Sequence, residues 1–214
     1  MTKLRGSDAI ALWKQGRDVW NVRVNRNSDA SVDFSGVDFS IYETVDFSGF
    51  LFPNGGVNFR FAKFGAGDVD FTRAQFGDGN VDFTGAQFGN GTVYFSEARF
   101  GKGSTSFASA NFGNGGVDFE GVKFGDGRTS FKDATFGDGD VCFGGVTFGK
   151  GGVDFMNAKF GVGLISFQQA QFGNGGISFH HTQFGVGNVE FQRAQFGNGD
   201  VTFTGAQFGN GHIS

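Results

Sequence analysis

Cysteine is almost missing from the chain. Cys142 stands alone, which excludes an intramolecular disulfide and leaves no second thiolate for a structural metal site. Proline occurs once, and leucine only at Leu4, Leu12, Leu51 and Leu164, so an ordinary leucine-built core is excluded too. Positive charge is never concentrated. Lys63, Arg73, Arg99, Lys102, Lys123 and Lys132 are scattered among carboxylates, without the basic stripe that nucleic-acid binding calls for. Residues 1–30 hold six Lys/Arg against three Asp/Glu (+3), which leaves eleven against eighteen (−7) for residues 31–214. No long apolar run follows the basic residues of the opening segment MTKLRGSDAIALWKQG, so neither a signal peptide nor a membrane span is expected. The expectation is a soluble cytoplasmic protein that binds no nucleic acid directly and no membrane.

Glycine and phenylalanine fill the space left by these absences, at 40 and 32 of 214 residues. Such a glycine content signals either disorder or a repeat, and the period decides. From Val57 the chain divides without a gap into twelve-residue units of consensus VDFTGAQFGNGx. One Phe series runs through Phe59, Phe71, Phe131 and Phe203; a second runs through Phe64, Phe76, Phe112 and Phe208, and neither is interrupted. Each Phe of the second series precedes Gly-x-Gly, as at Gly65 and Gly67 or Gly113 and Gly115, while x varies. Two residues before each Phe stands a small or β-branched residue: Val57, Val69 and Thr105 in one series, Ala62, Ala74 and Val122 in the other. That spacing puts both side chains on one face of an extended segment and points the polar residue between them outward.

A fixed short period with no helix signal means a β-solenoid, in which a unit too small to bury its own Phe stacks on its neighbours. Equivalent rings then lie about 4.8 Å apart and pile into columns. The glycines are expected at sharp turns, where they reach positive φ and allow backbone approach that a Cβ would block.

Catalytic and metal readings fit poorly. A phosphate-binding loop needs Lys-Ser/Thr after its glycines, or a single glycine loop between strand and helix. The sequence GDGNVD at 77–82 has the look of a calcium loop, but its second carboxylate is replaced by Tyr94, Ser106, Ser130, Cys142, Ser166, Ser178 and Thr202. His180 and His181 are read as exposed loop residues that share no metal unless a turn brings them together, and Cys142 as a surface thiol. No Ser/His/Asp set can be assembled, so no catalytic, cofactor or metal residue is assigned and the chain is read as non-enzymatic.

Before the twelve-residue register the chain reads VDFSG at 32–36, VDFSI at 37–41 and, after a short insertion at 42–44, VDFSG at 45–49 and FLFPN at 50–54. These five-residue units resemble the pentapeptide-repeat family, with Val and Phe replacing the family's preferred Ala and Leu. The stretch ALWKQGRDVWNVRVN at 11–25 resembles the short helical cap that often precedes such repeats. The resemblance implies an all-β fold: a right-handed quadrilateral β-helix with four sides per coil. Two twelve-residue units would make one 24-residue coil, in preference to a rival twelve-residue coil. The expected organisation is a cap over residues 1–30, started by Ser7 or Asp8 and covering Phe34 and Phe39 with Ile10, Leu12, Trp13 and Trp20. Ordinary pentapeptides over 31–56 and twelve-residue repeats over 57–214 follow, continuous with each other.

For function the expectation is a structural or protein-binding rod whose partner the sequence does not name. A DNA mimic that binds a type II topoisomerase is the alternative the resemblance implies, though net −7 is thin for it; an ice-binding surface would need more Thr than Thr84, Thr92, Thr202 and Thr204 provide. Phe203, Phe208 and Ile213 are expected to form a C-terminal association surface, through an end-to-end homodimer unless the chain continues past Ser214.

Overall fold

The structure is a computed structural model that describes residues 3–214. It opens with strand β1 (Lys3–Arg5) and helices α1 (Gly6–Trp13) and α2 (Arg17–Asn25), after which strand β2 (Ser31–Asp33) begins the first coil. From there the chain winds through eight coils of four short sides. Every pairing is parallel, and from Val57 onward partners are 24 residues apart, as in Val81↔Thr105 and Val117↔Val141. The coil therefore takes two twelve-residue units, as the resemblance implied.

Four faces result. Face 1 carries the sheet through Val57, Val81, Thr105 and their equivalents, nine strands wide with β1 at its edge; face 3 carries the seven-stranded sheet through Val45, Val69 and Val93. Face 2 is laddered by bridges through Lys63, Gln87 and Asn111, and face 4 through Gln75, Arg99 and Lys123. Two-residue corners join face 1 to 2 and face 3 to 4; the Gly-x-Gly-x segments make the other two.

Ring stacking fills the interior. Phe59, Phe83, Phe107, Phe131 and Phe155 follow one another with centroids 4.7–5.0 Å apart and planes within 6° of parallel. The face 3 column meets this one edge-on, as where Phe95 and Phe107 stand 5.4 Å apart at 82°. Offset stacks along the rod and edge-to-face contacts across it are the two geometries that the ring quadrupole favours. Phe59, Phe64, Phe71, Phe76 and Phe131 are buried, whereas Phe196, Phe203 and Phe208 remain 44%, 38% and 39% exposed. Phe203 and Phe208 are thus not core residues in the full sense: each stacks on one ring below it, Phe179 and Phe184, and none above.

The expected helical cap forms as a pair of helices. Gly16, at φ +88, breaks it into two, and α1 starts at Gly6 with Arg5 as its N-cap and no side-chain cap bond. Ser7 and Asp8 thus lie inside the first turn, where Asp8 favours the helix dipole without capping. Trp13 packs on Phe39 and Trp20 on Phe34. The cap also answers the open edge of the first coil. The Trp13 and Trp20 indole N–H groups donate to the carbonyls of Asp46 and Leu51 at 2.8 and 2.7 Å, and Asn21 accepts from the Leu51 N–H and donates to the Gly49 carbonyl. Strand β1 covers face 1 by pairing Leu4 with Val32. Backbone groups that would otherwise template another chain are so occupied.

Residues 31–56 are not four plain pentapeptides. Val32 pairs with Val57, 25 residues on, while Val45 pairs with Val69 at the usual 24. The extra residue lies in the corner at 40–44, and Pro53–Gly56 already occupies the place of a Gly-x-Gly-x corner, because a Cβ on Gly77 would strike Pro53 and Asn54 and one on Gly79 would strike Gly56. The first coil has the long and short corners of all later ones.

Candidate interaction surface

Corner chemistry sorts the outward residues into those committed to the fold and those left free. At each two-residue corner the chain makes a β-turn, as where the Ala62 N–H bonds the Phe59 carbonyl at 3.0 Å. The third turn residue takes φ between +54 and +68 whether it is glycine or not, and Phe61, Arg73, Glu97, Asp133 and Arg193 all sit there. Positive φ is therefore a property of these corners. The Gly-x-Gly glycines answer mainly to the other requirement: a Cβ on Gly91 would overlap the Gly67 carbonyl, and one on Gly115 the Gly91 carbonyl, although neither has a positive φ. Among the predicted turn residues, Gly65 (φ +85) and Gly113 (φ +66) combine both demands, while Gly67 and Gly115 serve close approach alone.

The residue before the Phe supports its corner at most positions of faces 1 and 3, Tyr94 and Glu190 being the exceptions. Asp46, Asp70, Asp82, Asp118 and Asp154 each accept the backbone N–H two residues on, at 2.7–2.9 Å. Ser106, Ser130, Ser166 and Ser178 do the same at 3.3–3.4 Å. Cys142 fits the series, its Sγ accepting from the Gly144 N–H at 3.4 Å. What these positions share is an acceptor atom on a short side chain, two bonds from Cα in Ser and Cys and three in Asp, the requirement of an Asx- or ST-type turn, and a carboxylate is only one way to meet it.

The residue between the glycines is likewise less free than its variety suggests. Residues 24 apart share a corner column, so Asp78, Lys102, Asp126 and Lys150 alternate in sign up one edge, with ion pairs Lys102–Asp78 at 2.7 Å and Lys150–Asp126 at 3.2 Å. Hydrogen bonding to Lys102 holds the Asp78 carboxyl below its ordinary range. Asn54, Asn90 and Asn174 accept the equivalent N–H of the next coil at 3.0–3.2 Å.

Cys142 lies half-buried on face 3. Burial pushes its thiol pKa up, the Gly144 N–H works in the opposite direction, and the Asp118 and Glu120 carboxylates raise it further. These three residues bring donor atoms within 4.8 Å of one another, but both oxygens of Asp118 are engaged, by the Ser96 hydroxyl at 2.5 Å and the Glu120 N–H at 2.7 Å. The thiol is accordingly poorly activated. His180 and His181 occupy a face 1–2 corner, and that turn brings their rings to 4.1 Å, closer than opposite sides of a strand would allow.

Face 4 is different. Its outward column, Gln75, Arg99, Lys123, Thr147, Gln171 and Gln195, uses backbone groups in the inter-coil ladder. Among the described residues, none of these six side chains makes a hydrogen bond or ion pair within the chain. Face 2 keeps Lys63, Thr135, Lys159 and Gln183 similarly uncommitted, interrupted by Asn111, which accepts from the Gly113 N–H, and by Gln87, which donates to the Gly85 carbonyl. Face 4 thus presents a row of long polar side chains at the coil repeat, with two cations and no carboxylate in the column.

Four sides per coil, each with an inward Phe and a small residue two before most of them, joined through corners around stacked rings, define a four-sided β-solenoid. No family model matches the sequence, and no curated protein does. Among solved structures the chain is similar to HetL, a pentapeptide repeat protein involved in heterocyst differentiation regulation from the cyanobacterium Nostoc. That match has 12% identity over 84% of this chain and 81% of that one, with a TM-score of 0.29. At that score the overlap carries no weight beside the coil geometry itself. Among the described residues, no helix is long and apolar enough to cross a membrane.

Proposed function

We propose that the protein is a non-enzymatic rod of the cytoplasm that binds a partner protein along face 4. The carrying observation is the uncommitted column from Gln75 to Gln195, unbroken where that of face 2 is interrupted and set between faces 1 and 3, most of whose polar groups are engaged by their own corners. A flat ladder of amides and cations suits a protein surface that offers carboxylates and backbone carbonyls, and solenoids characteristically bind through such extended faces. The DNA-mimicking alternative draws less support, because the aspartates of faces 1 and 3 that would supply its charge accept backbone hydrogen bonds at the corners.

Photo-crosslinking amino acids placed one at a time at Gln75, Thr147 and Gln171 on face 4, and at Asn58 and Ser130 on face 1, test this in cells. Discrete adducts of one mass from the face 4 positions, lost when a neighbouring Gln195→Glu or Thr147→Glu change is added, support the reading. Adducts spread equally over both faces, or none from face 4, overturn it.

A second contact is favoured by the half-exposed Phe196, Phe203 and Phe208 with Val201 and Ile213 beside them. The surrounding stretch 190–214 holds only Glu190, Arg193 and Asp200 as Asp, Glu, Lys or Arg, a net of −1, so two copies approach this surface against little repulsion. A closed two-fold pair is the expected assembly, since the cap blocks the other end. Light scattering over a concentration series should show a dimer that Phe208→Ala dissociates; a monomer at every concentration refutes the contact.

A further inference from the structure

Within face 4 one place departs from the rest. Arg99 and Lys123 are paired across adjacent coils on the same outward column, so two like charges rise from backbones about 4.8 Å apart. Like charges directly opposite each other across a strand pair are destabilising. Neither takes part in an ion pair among the described residues. Arg73, one corner away, is held by Glu97 through Nε at 2.8 Å and Nη2 at 3.4 Å. The corner column that holds Arg73 and Glu97 continues as Gly121, where an added Cβ would find nothing nearer than the Glu97 Cγ at 3.8 Å. The missing side chain opens a notch of about 520 Å³ lined by Arg73, Gln75, Glu97, Arg99, Gly121 and Lys123. With three cations and one carboxylate, its lining carries a net +2 in a chain of net −4.

We infer that this notch binds a phosphoryl dianion, gripped by Arg99 and Lys123 with the Gln75 amide beside them. Glu97 is bonded to Arg73 and feels Arg99 only at longer range, and the lining's net +2 matches the two charges of a phosphate monoester near neutral pH. The planar guanidinium of Arg99 fits two phosphoryl oxygens at once, and Lys123 adds a point charge. A monocarboxylate would leave one cation uncompensated, and the Arg73–Glu97 pair makes one wall of the notch with its own charge already satisfied. The phosphoryl group comes either from a free phosphate ester or from a phosphorylated side chain of the face 4 partner; the second source rests on the binding reading above.

Calorimetric titration of the full chain with inorganic phosphate, and separately with a short neutral peptide containing one phosphoserine, tests the site. Saturable binding of either probe, about tenfold weaker or more in Arg99→Gln/Lys123→Gln and unchanged in the face 2 control Lys63→Gln/Lys159→Gln, supports the inference. A phosphopeptide that binds tighter than phosphate assigns the group to a protein; equal or weaker peptide binding assigns it to a small molecule. No saturable binding of either probe, or equal binding by the Arg99/Lys123 variant, overturns it. These variants are exposed and leave the core untouched, and their melting curves check that they fold. Cross-linking at Thr147 and Gln171, beyond the notch, separates failure of the anion site from failure of face 4 as a docking surface.

Discussion

Replacing Phe131 with alanine probes the ring column at its centre. Phe131 is fully buried, stacks on Phe107 at 5.0 Å and Phe155 at 4.9 Å, and meets Phe119 and Phe143 edge-on at 5.5 Å each. Truncation deletes the apolar burial and leaves a cavity that neighbouring coils, fixed by backbone ladders, close only in part. The expected cost is about 3–5 kcal/mol. Phe208 supplies the internal comparison at concentrations where light scattering shows the monomer: 39% exposed, it stacks on a single ring, Phe184, at 4.5 Å, and with about three-fifths of the burial its truncation should cost about 1–2 kcal/mol. Equilibrium urea unfolding, followed by far-UV circular dichroism and by Trp13 and Trp20 fluorescence, gives both numbers where the probes coincide. A Phe131→Ala unfolding free energy within about 0.5 kcal/mol of the parent, or a loss no greater than that of Phe208→Ala, would refute the stacked interior as the main source of stability.

Other expectations follow from the corners and the cap. Gly91→Ala should cost about 3 kcal/mol or prevent folding, because its Cβ meets the Gly67 backbone, whereas Gly145→Ala, with open space but φ +61, should cost about 1–2 kcal/mol; similar losses at both positions in thermal melts would refute the division of roles. Phe61→Asn relieves a bulky exposed residue of φ +56 and should stabilise the chain by about 0.5–1 kcal/mol, so an unchanged or lower melting temperature counts against strain there. Burial works to raise the pKa of Asp33, but hydrogen bonds from the Lys3 ammonium and from Ser35 outweigh it and hold the carboxyl below its ordinary 3.8. A depressed folded pKa contributes stability above 3.8 that is lost as pH falls through the lower folded value. Hydrogen-exchange protection factors in strands β1 and β2, corrected at each pH for the intrinsic exchange rate, should therefore fall below that pH, and Asp33→Asn should abolish the dependence; pH-independent protection factors in the parent overturn the linkage.

How much was legible follows from which distances the sequence displays. The Phe series, the small residues beside them and the invariant glycines recur every twelve residues, so they announced solenoid, core and turn positions directly. Contacts in the folded chain, however, recur every 24. Listing the residues between the glycines in chain order interleaves two corners, and the alternation of Asp78, Lys102, Asp126 and Lys150 vanishes into apparent freedom. Scattered cations were read as a surface without pattern for the same reason, and Arg99 stacked on Lys123 is the clearest loss. The acceptor role shared by Asp118, Ser130 and Cys142 had a signal, since all three precede a Phe by one and a corner by two, but their chemical variety hid it. The Gly16 break carried its own signal in the sequence, whereas the β1 pairing rests on a long-range contact between Leu4 and Val32 that no local pattern announces.

The two-unit coil sets the step in which such a gene changes length without changing its product's surface. Duplicating or losing 24 residues lengthens or shortens the rod and leaves each later side chain on its own face. Duplicating twelve is also compatible with the interior, because both units offer the same rings and corners. It would nevertheless carry everything downstream half a revolution about the axis, so that Gln171 and Gln195 would emerge where Gln183 and Gln207 now stand. A single recombination between neighbouring units could thus redirect a binding surface to the opposite side of the molecule while every buried contact is kept.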